Sequence, residues 1–297
     1  MSISLAKLRT LDHLVLPTAN LVTARARLSG LGFTVAPVGV HPFGTENACI
    51  YFSDGTFIEP LAVADKERAA LAIADGNVFV GRDRQFRARN GEEGFSALVF
   101  GTEDADLDHE AFVRAGISAG ARLDFSRPFV DASGRADTAS FRLALAADAT
   151  APDAFFFTCE RVNAPKVDRS ALQAHANGVS HIAAVVACGN EPAAFRDFFQ
   201  KMAGRKGRSA DDARIDFPLS NATISLIDPA AFRQDFGVDA PPTVGFRLSA
   251  IIFAINDRAA TERLFKAGSI AYETRDNRLV VPTAKGQGAV FAFEEIR

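Results

Sequence analysis

The sequence is poor in the features that mark a secreted, membrane-spanning or nucleic-acid-binding chain. Its three cysteines, Cys49, Cys159 and Cys188, are odd in number and far apart, with no C-x-x-C pair. That excludes a disulfide framework and a cysteine-based zinc site, and reduced thiols fit a reducing compartment. No apolar run approaches the roughly 20 residues that cross a bilayer. The opening stretch "MSISLAKLRTLDHLVL" has no long apolar segment behind a basic start, so no signal peptide is expected. The expectation is a soluble, cytoplasmic protein with no membrane contact. Basic residues are not in excess: 33 Lys and Arg stand against 36 Asp and Glu, for a net charge of −3. No nucleic-acid partner is expected from that balance. The one dense basic run, Arg82, Arg84, Arg87 and Arg89 in "GRDRQFRARN", reads as a solvated loop or an oligomer contact, with an anionic substrate as the alternative. P-loop, G-x-G-x-x-G, G-x-S-x-G and H-E-x-x-H motifs are all missing, which weighs against nucleotide-driven, α/β-hydrolase and zincin chemistry.

Tryptophan is absent and tyrosine occurs twice, yet phenylalanine occurs 26 times. Phe brings apolar area without a polar tip, which suits a large core or an apolar cavity. The 297 residues are enough for two domains at about 100–200 residues each.

Four strand-like segments repeat along the chain: "LDHLVLPTAN" from Leu11, "FSALVFGTED" from Phe95, "VSHIAAVVAC" from Val179 and "LSAIIFAIND" from Leu248. Each is rich in the residues that fill buried strands. Each is followed by a helix signal: a cap at Asn20, at Asp106 or Asp108, and at Asp257, or a Pro near the first helical position at Pro192. Gly32, Gly116, Gly204 and Gly268 mark the helix ends. Further strand candidates follow, as in "NACIYFSDG" and "TFIEPLAV". The unit is therefore β-α-β-β-β. One such unit leaves a sheet face open, so the units are expected to pair. The expected class is α+β, with four βαβββ modules at about 11–62, 95–160, 179–228 and 247–295. The first pair forms an N-terminal domain over 1–160 and the second a C-terminal domain over 179–297. Residues 161–178 connect them, and residues 65–94 are expected to hold a helix and a loop.

This repeat resembles the vicinal oxygen chelate superfamily, which includes glyoxalase I, extradiol dioxygenases and bleomycin-resistance proteins, and is most like its glyoxalase-like domain proteins. "LDHLVL" resembles the opening strand with its metal-ligand His, "HPFGTEN" the H-x-x-x-G-T-x-N segment, and "DGTFIEPL" the closing strand with its Glu. "AFFFTCE" and "QAHANG" resemble the junction between halves. The resemblance implies curved mixed sheets closing around a cup, a small-molecule substrate, and a divalent metal ion such as Zn, Ni, Mn, Mg or Fe. It places His13 and Glu59 as metal ligands, with Glu160 as a further candidate beside Thr158. A carboxylate at Glu59 inside an apolar strand also needs a partner on physical grounds. Glu59 and His41 are the candidate catalytic groups. His41, Thr45, Asn47, Phe57 and Phe156 are the candidate substrate contacts.

The pattern is incomplete. The position matching His13 in the second unit is Ala97, and in the fourth unit the position matching His181 is Ala250. An extradiol iron site is therefore not expected, and the second half reads mainly as scaffold. Two functions stay open at this level. One is a lyase or isomerase working by proton transfer and oxyanion stabilisation in the N-terminal cup. The other is a metal-free binding protein that holds an apolar molecule without turnover. A monomer or a homodimer fits either.

Overall fold

The computed structural model describes residues 8–130, 136–164 and 167–295. The first seven residues of the opening stretch and residues 165–166 of the connection lie outside the described residues. The first unit runs β1 (Thr10–Pro17), α1 (Leu21–Gly30), β2 (Gly39–Val40), β3 (Thr45–Asn47), β4 (Ile50–Tyr51) and β5 (Phe57–Val63). Two helices, α2 (Lys66–Ala74) and α3 (Val78–Asn90), lead to the second unit: β6 (Ala97–Thr102), α4 (Ala105–Arg114), β7 (Leu123–Val130), β8 (Ala136–Ala146) and β9 (Phe155–Asn163). A short α5 (Ser170–Gln173) precedes the third unit: β10 (Val179–Gly189), a 3-10 turn into α6 (Arg196–Ala203), β11 (Arg208–Asp211), β12 (Arg214–Pro218) and β13 (Thr223–Ile227). Then come α7 (Pro229–Phe236) and the fourth unit: β14 (Phe246–Ile255), α8 (Arg258–Ala267), β15 (Glu273–Arg275), β16 (Arg278–Val281) and β17 (Val290–Glu295).

The units pair through their first strands. The N-terminal sheet has the order β2-β3-β5-β1-β6-β9-β8-β7, with β4 also on β5, and the C-terminal sheet β11-β12-β13-β10-β14-β17-β16-β15. In the N-terminal sheet β1 and β6 are antiparallel, with Leu14 opposite Leu98. Each lies parallel to the closing strand of its own unit, β5 or β9. This is the α+β architecture of paired βαβββ units with curved mixed sheets.

Alternation along the strands divides their side chains between two faces. In the N-terminal sheet Leu14, Ile58, Leu98, Phe100 and Phe156 point to the helical side, into a core shared with Ile182, Ile251, Phe253 and Phe291 of the C-terminal sheet. Val15, Leu61, Val99, Leu145 and Phe157 point the other way, into the cup. The C-terminal cup is occupied by its own chain. Phe232 and Phe236 of α7 are fully buried against Val186, Ala250, Ile252 and Val290.

Local details follow the capping rules with one shift. Asn20 accepts from Thr23 N at 2.8 Å and Asp257 from Ala260 N at 2.9 Å. Helix α4 is capped by Asp104, which accepts from Leu107 N at 2.9 Å. Asp106 and Asp108 sit inside its first turn, where a negative charge suits the helix dipole.

The stretch 65–94 corrects its expectation, because it forms two helices. The arginine run lies on α3, and Arg87 is not solvated. Its Nε donates to Asp83 at 2.7 Å, Nη2 to Leu61 O at 2.8 Å and Nη1 to Thr18 O at 3.1 Å. These bonds tie α3 to the carbonyl just after β1 and to one within β5, and so place Phe79 and Val80 over the cup.

Candidate active site in the N-terminal cup

β1 brings His13 into the cup, and a bulge brings its neighbour to it. Adjacent strand residues normally face opposite ways, but the pairing of β1 with β6 shifts register between Leu11 and His13. The irregularity turns Asp12 toward the ring. Asp12 Oδ1 then lies 2.6 Å from His13 Nδ1. Burial pushes the Asp12 carboxyl up. The His13 hydrogen bond and the charges of His13 and Arg161 outweigh it, so the net shift is down and Asp12 stays a carboxylate. Arg161 Nη2 donates to both Asp12 oxygens, at 2.9 and 2.8 Å. This hydrogen bonding assigns the Nδ1 proton of His13 to the Asp12 side and aims Nε2 into the cup. The ring is stacked on Phe57 at 4.3 Å and meets the edge of Phe157 at 5.6 Å.

β5 carries Glu59, which is 5 % exposed. Pro60 has no N–H for the ladder, and the strand facing β5 is split there into β3 and β4. Asn47 on β3 donates from Nδ2 to Glu59 Oε1 at 2.6 Å. Glu59 Oε2 is left 3.5 Å from His13 Nε2.

The loop between β2 and β3 supplies His41. Gly44 holds it in place with φ +87°, and a Cβ there would lie 2.5 Å from Asp65 O and 2.7 Å from Ala69 N. Only glycine tolerates both the conformation and the close approach of α2. Its carbonyl accepts from Ala64 N and Asp65 N. His41 Nδ1 lies 2.8 Å from Thr45 Oγ1, and its Nε2 lies 3.4 Å from Asn47 Nδ2 and 3.6 Å from Glu59 Oε1. Burial pushes the His41 pKa down to about 4, with Glu59 opposing and Arg127 adding to the fall. The ring is neutral at pH 7. Donation from Nδ1 to Thr45 and acceptance at Nε2 from Asn47 complete its hydrogen bonds.

His13, His41, Thr45, Asn47, Phe57 and Glu59 are thus brought together. Phe156 and Glu160 are not. Phe156 is on the opposite face of β9, against Phe198 and Phe199 of α6. Glu160 is also on that face, where Oε2 accepts from Ala105 N at the start of α4. The residues that line the cup from β9 are Phe155, Phe157 and Cys159. The three cysteines are buried, and burial pushes all three thiols up, so none is an activated nucleophile. Asp12 and Arg127 were missed in the sequence. A surface hollow of about 520 Å³ is lined by residues that include Asn20, Thr23, Asn90, Glu92, Glu93 and Lys285. It holds no histidine and is distinct from the cup.

Strand register tests the implied metal. With Leu14 opposite Leu98, the local twofold between units carries His13 onto Ala97. It also carries Phe57 onto Phe155 and Glu59 onto Phe157, since His13 pairs with Phe57 and Ala97 with Phe155. Two of the four positions that face the centre of the cup are therefore apolar. Among the described residues no three His, Cys, Asp or Glu side chains are placed to hold a metal ion. A divalent ion would also prefer more donors than His13 and Glu59 supply. These residues do not fit the implied metal.

A cup formed by two βαβββ units joined at their first strands defines the vicinal oxygen chelate fold. A profile of the glyoxalase-like domain family matches residues 11–202, more than half of the chain. The chain belongs to that family. A search of curated proteins finds no match. Among solved structures, a hypothetical protein from Staphylococcus aureus superposes with a TM-score of 0.67 at 14% identity, covering 97% of this chain and 100% of that one. A mutant of 4-hydroxymandelate synthase from Streptomyces coelicolor gives 0.62 at 12% identity, covering 97% and 93%. A Mn(II)-bound glyoxalase from Novosphingobium aromaticivorans gives 0.55 at 10% identity, covering 97% and 82%. At these identities the likeness is one of fold. No helix among the described residues is long and apolar enough to cross a membrane.

Proposed function

We propose that the N-terminal cup is an acid–base active site that moves a proton beside the carbonyl group of a small organic molecule. One observation carries this reading: Glu59 Oε2 and His13 Nε2 lie 3.5 Å apart in a buried, aromatic-lined cup, while their other polar atoms are committed to Asn47 and Asp12. Glu59 Oε2 takes a proton from the carbon next to the carbonyl, and the C–H pair becomes the enol double bond. His13, carrying a proton on Nε2, hands it to the carbonyl oxygen, which keeps the former C=O pair. Asp12 supports the imidazolium by accepting from Nδ1, as a carboxylate does beside a catalytic histidine. Asn47 orients Glu59 so that a single oxygen faces the reacting carbon. Returning a proton to the other carbon would give an isomerase, and expelling a group from the enol a lyase.

A second reading, capture of a small molecule without turnover, is favoured by the apolar positions Ala97 and Phe157. Solvent deuterium exchange separates the two without knowledge of the substrate. Small 2-hydroxy and 2-oxo carbonyl compounds are incubated with the protein in D2O, and the loss of each C–H signal is followed by NMR. Exchange by the wild type, absent in Glu59→Gln, is expected. Binding with no exchange in any compound would leave capture as the function.

A further inference from the structure

We propose that Arg127 forms an anion subsite at the seam of the N-terminal cup, and that the molecule taken there carries a carboxylate. The proposal rests on the reading of this cup as the binding site and names its substrate class.

Arg127 lies on β7, with the same parity as Phe125, which packs against His41 at 5.8 Å. β7 and β2 are the two opposite edges of the N-terminal sheet. The sheet curls so far that they approach each other: a Cβ on Gly39 of β2 would collide with Arg127 Nη1 and would lie 2.6 Å from Asn47 Oδ1. Gly39 thus leaves space for a guanidinium beside the side chain that orients Glu59. The Arg127 charge is felt inside the cup, since it helps depress the His41 pKa and lowers those of Cys49 and Tyr51 against their net upward shifts.

The guanidinium has no ion-pair partner among the described residues. By contrast, Arg161 is paired with Asp12 and Arg87 with Asp83. A second cation, Arg169, lies over the Tyr51 ring at 4.8 Å and likewise has no ion pair among the described residues. With His41 neutral and Asp12 balanced by Arg161, the charges of Arg127 and Arg169 act on the same buried Cys49 as that of Glu59, two positive charges against one negative. A half-buried guanidinium with open donors favours a carboxylate, which meets its planar fork with two hydrogen bonds. The phenyl-lined interior behind it would take the apolar part of the same molecule.

Benzoate and benzamide, nearly identical in shape and different in charge, test this by titration calorimetry on the full chain. The wild type is expected to bind benzoate at least tenfold more tightly than benzamide. Arg127→Met should weaken benzoate by tenfold or more and leave benzamide unchanged, and Arg127→Lys should restore part of the loss. Equal binding of the two probes, or no benzoate binding up to 10 mM (about the affinity limit of a single weak ion pair), overturns the proposal. So does a fall in the melting temperature of Arg127→Met with benzoate affinity intact, because Arg127 would then only latch the seam. The proton-transfer reading fails separately. If benzoate binding depends on Arg127 and no compound exchanges with D2O, the anion subsite stands and catalysis does not.

Discussion

Acidification should destabilise this protein through His41 in a pH range where the low-pKa aspartates contribute little. The ring is 6 % exposed, and its pKa falls from 6.5 to about 4 on folding. The folded state therefore binds this proton less readily than the unfolded chain. The stability that depends on a neutral His41 is complete above the unfolded pKa and is lost as the pH drops below it. At 1.36 kcal/mol per pH unit, the loss between pH 7 and pH 4.5 is about 2 kcal/mol, and it levels off below the folded pKa. Asp12 and Asp108, whose pKa values are lowered in the fold, add their losses mostly below their ordinary value of 3.8. His175 is also shifted down, by burial and against its hydrogen bond to the Tyr51 carbonyl. It shifts the curve in the same direction, so a variant comparison is needed. Urea unfolding of the wild type and His41→Gln at pH 7, 6, 5 and 4.5 supplies it. The amide keeps partners for Thr45 and Asn47 but has no proton to gain. The variant should lose about 2 kcal/mol less than the wild type over that range. Parallel declines would refute a neutral His41 in the cup.

Three further outcomes follow from the same geometry. Ala97→His with Phe157→Glu would restore donors at the twofold-related positions, and the double variant should bind Mn(II) in calorimetry after chelator treatment where the wild type shows no binding in the cup. Equal binding by both proteins would contradict the register assignment. Arg87→Met should cost about 3–5 kcal/mol in urea unfolding, because it strands the buried Asp83 carboxylate and frees α3 from two carbonyls. A loss below 1 kcal/mol would mean that α3 is held by its apolar contacts alone. Phe156→Ala should also cost about 3–5 kcal/mol, as expected of a phenyl group in a packed core, and should leave benzoate affinity unchanged.

The repeat was legible because its period carries physical information. Segments starting at Leu11 and Phe95 place Ala97 opposite the role of His13, and the observed twofold agrees. The closing strand of the second unit was harder. "AFFFTCE" alternates without a polar marker, and a one-residue slip turns every side chain to the other face. Thr158 and Glu160 therefore looked available, whereas Phe157 faces the cup. Phe156 fell on the wrong side by the same rule. Asp12 was hidden because strand alternation argues against adjacent residues meeting, and a bulge is not visible in the segment. Arg127 stands far along the chain from His41 and Asn47, and only the curling of the sheet edges brings it near them. The filling of the second cup by Phe232 and Phe236 was missed because a short helix between two units looks like a linker. By contrast, His41, Thr45 and Asn47 were legible through the resemblance of "HPFGTEN" to a segment of the glyoxalase-like group, and Glu59 also because a carboxylate in an apolar strand requires a partner.

The proton-transfer step depends on His13 and Glu59 acting together, and a double-mutant cycle on deuterium exchange tests that dependence most directly. His13→Gln and Glu59→Gln should each slow exchange by about 10²–10⁴-fold, the usual range for a positioned acid or base. The double variant should be no slower than the more damaged single variant, because groups acting in one step do not add. Exchange that continues at the wild-type rate in Glu59→Gln, or losses that multiply in the double variant, would contradict a shared site.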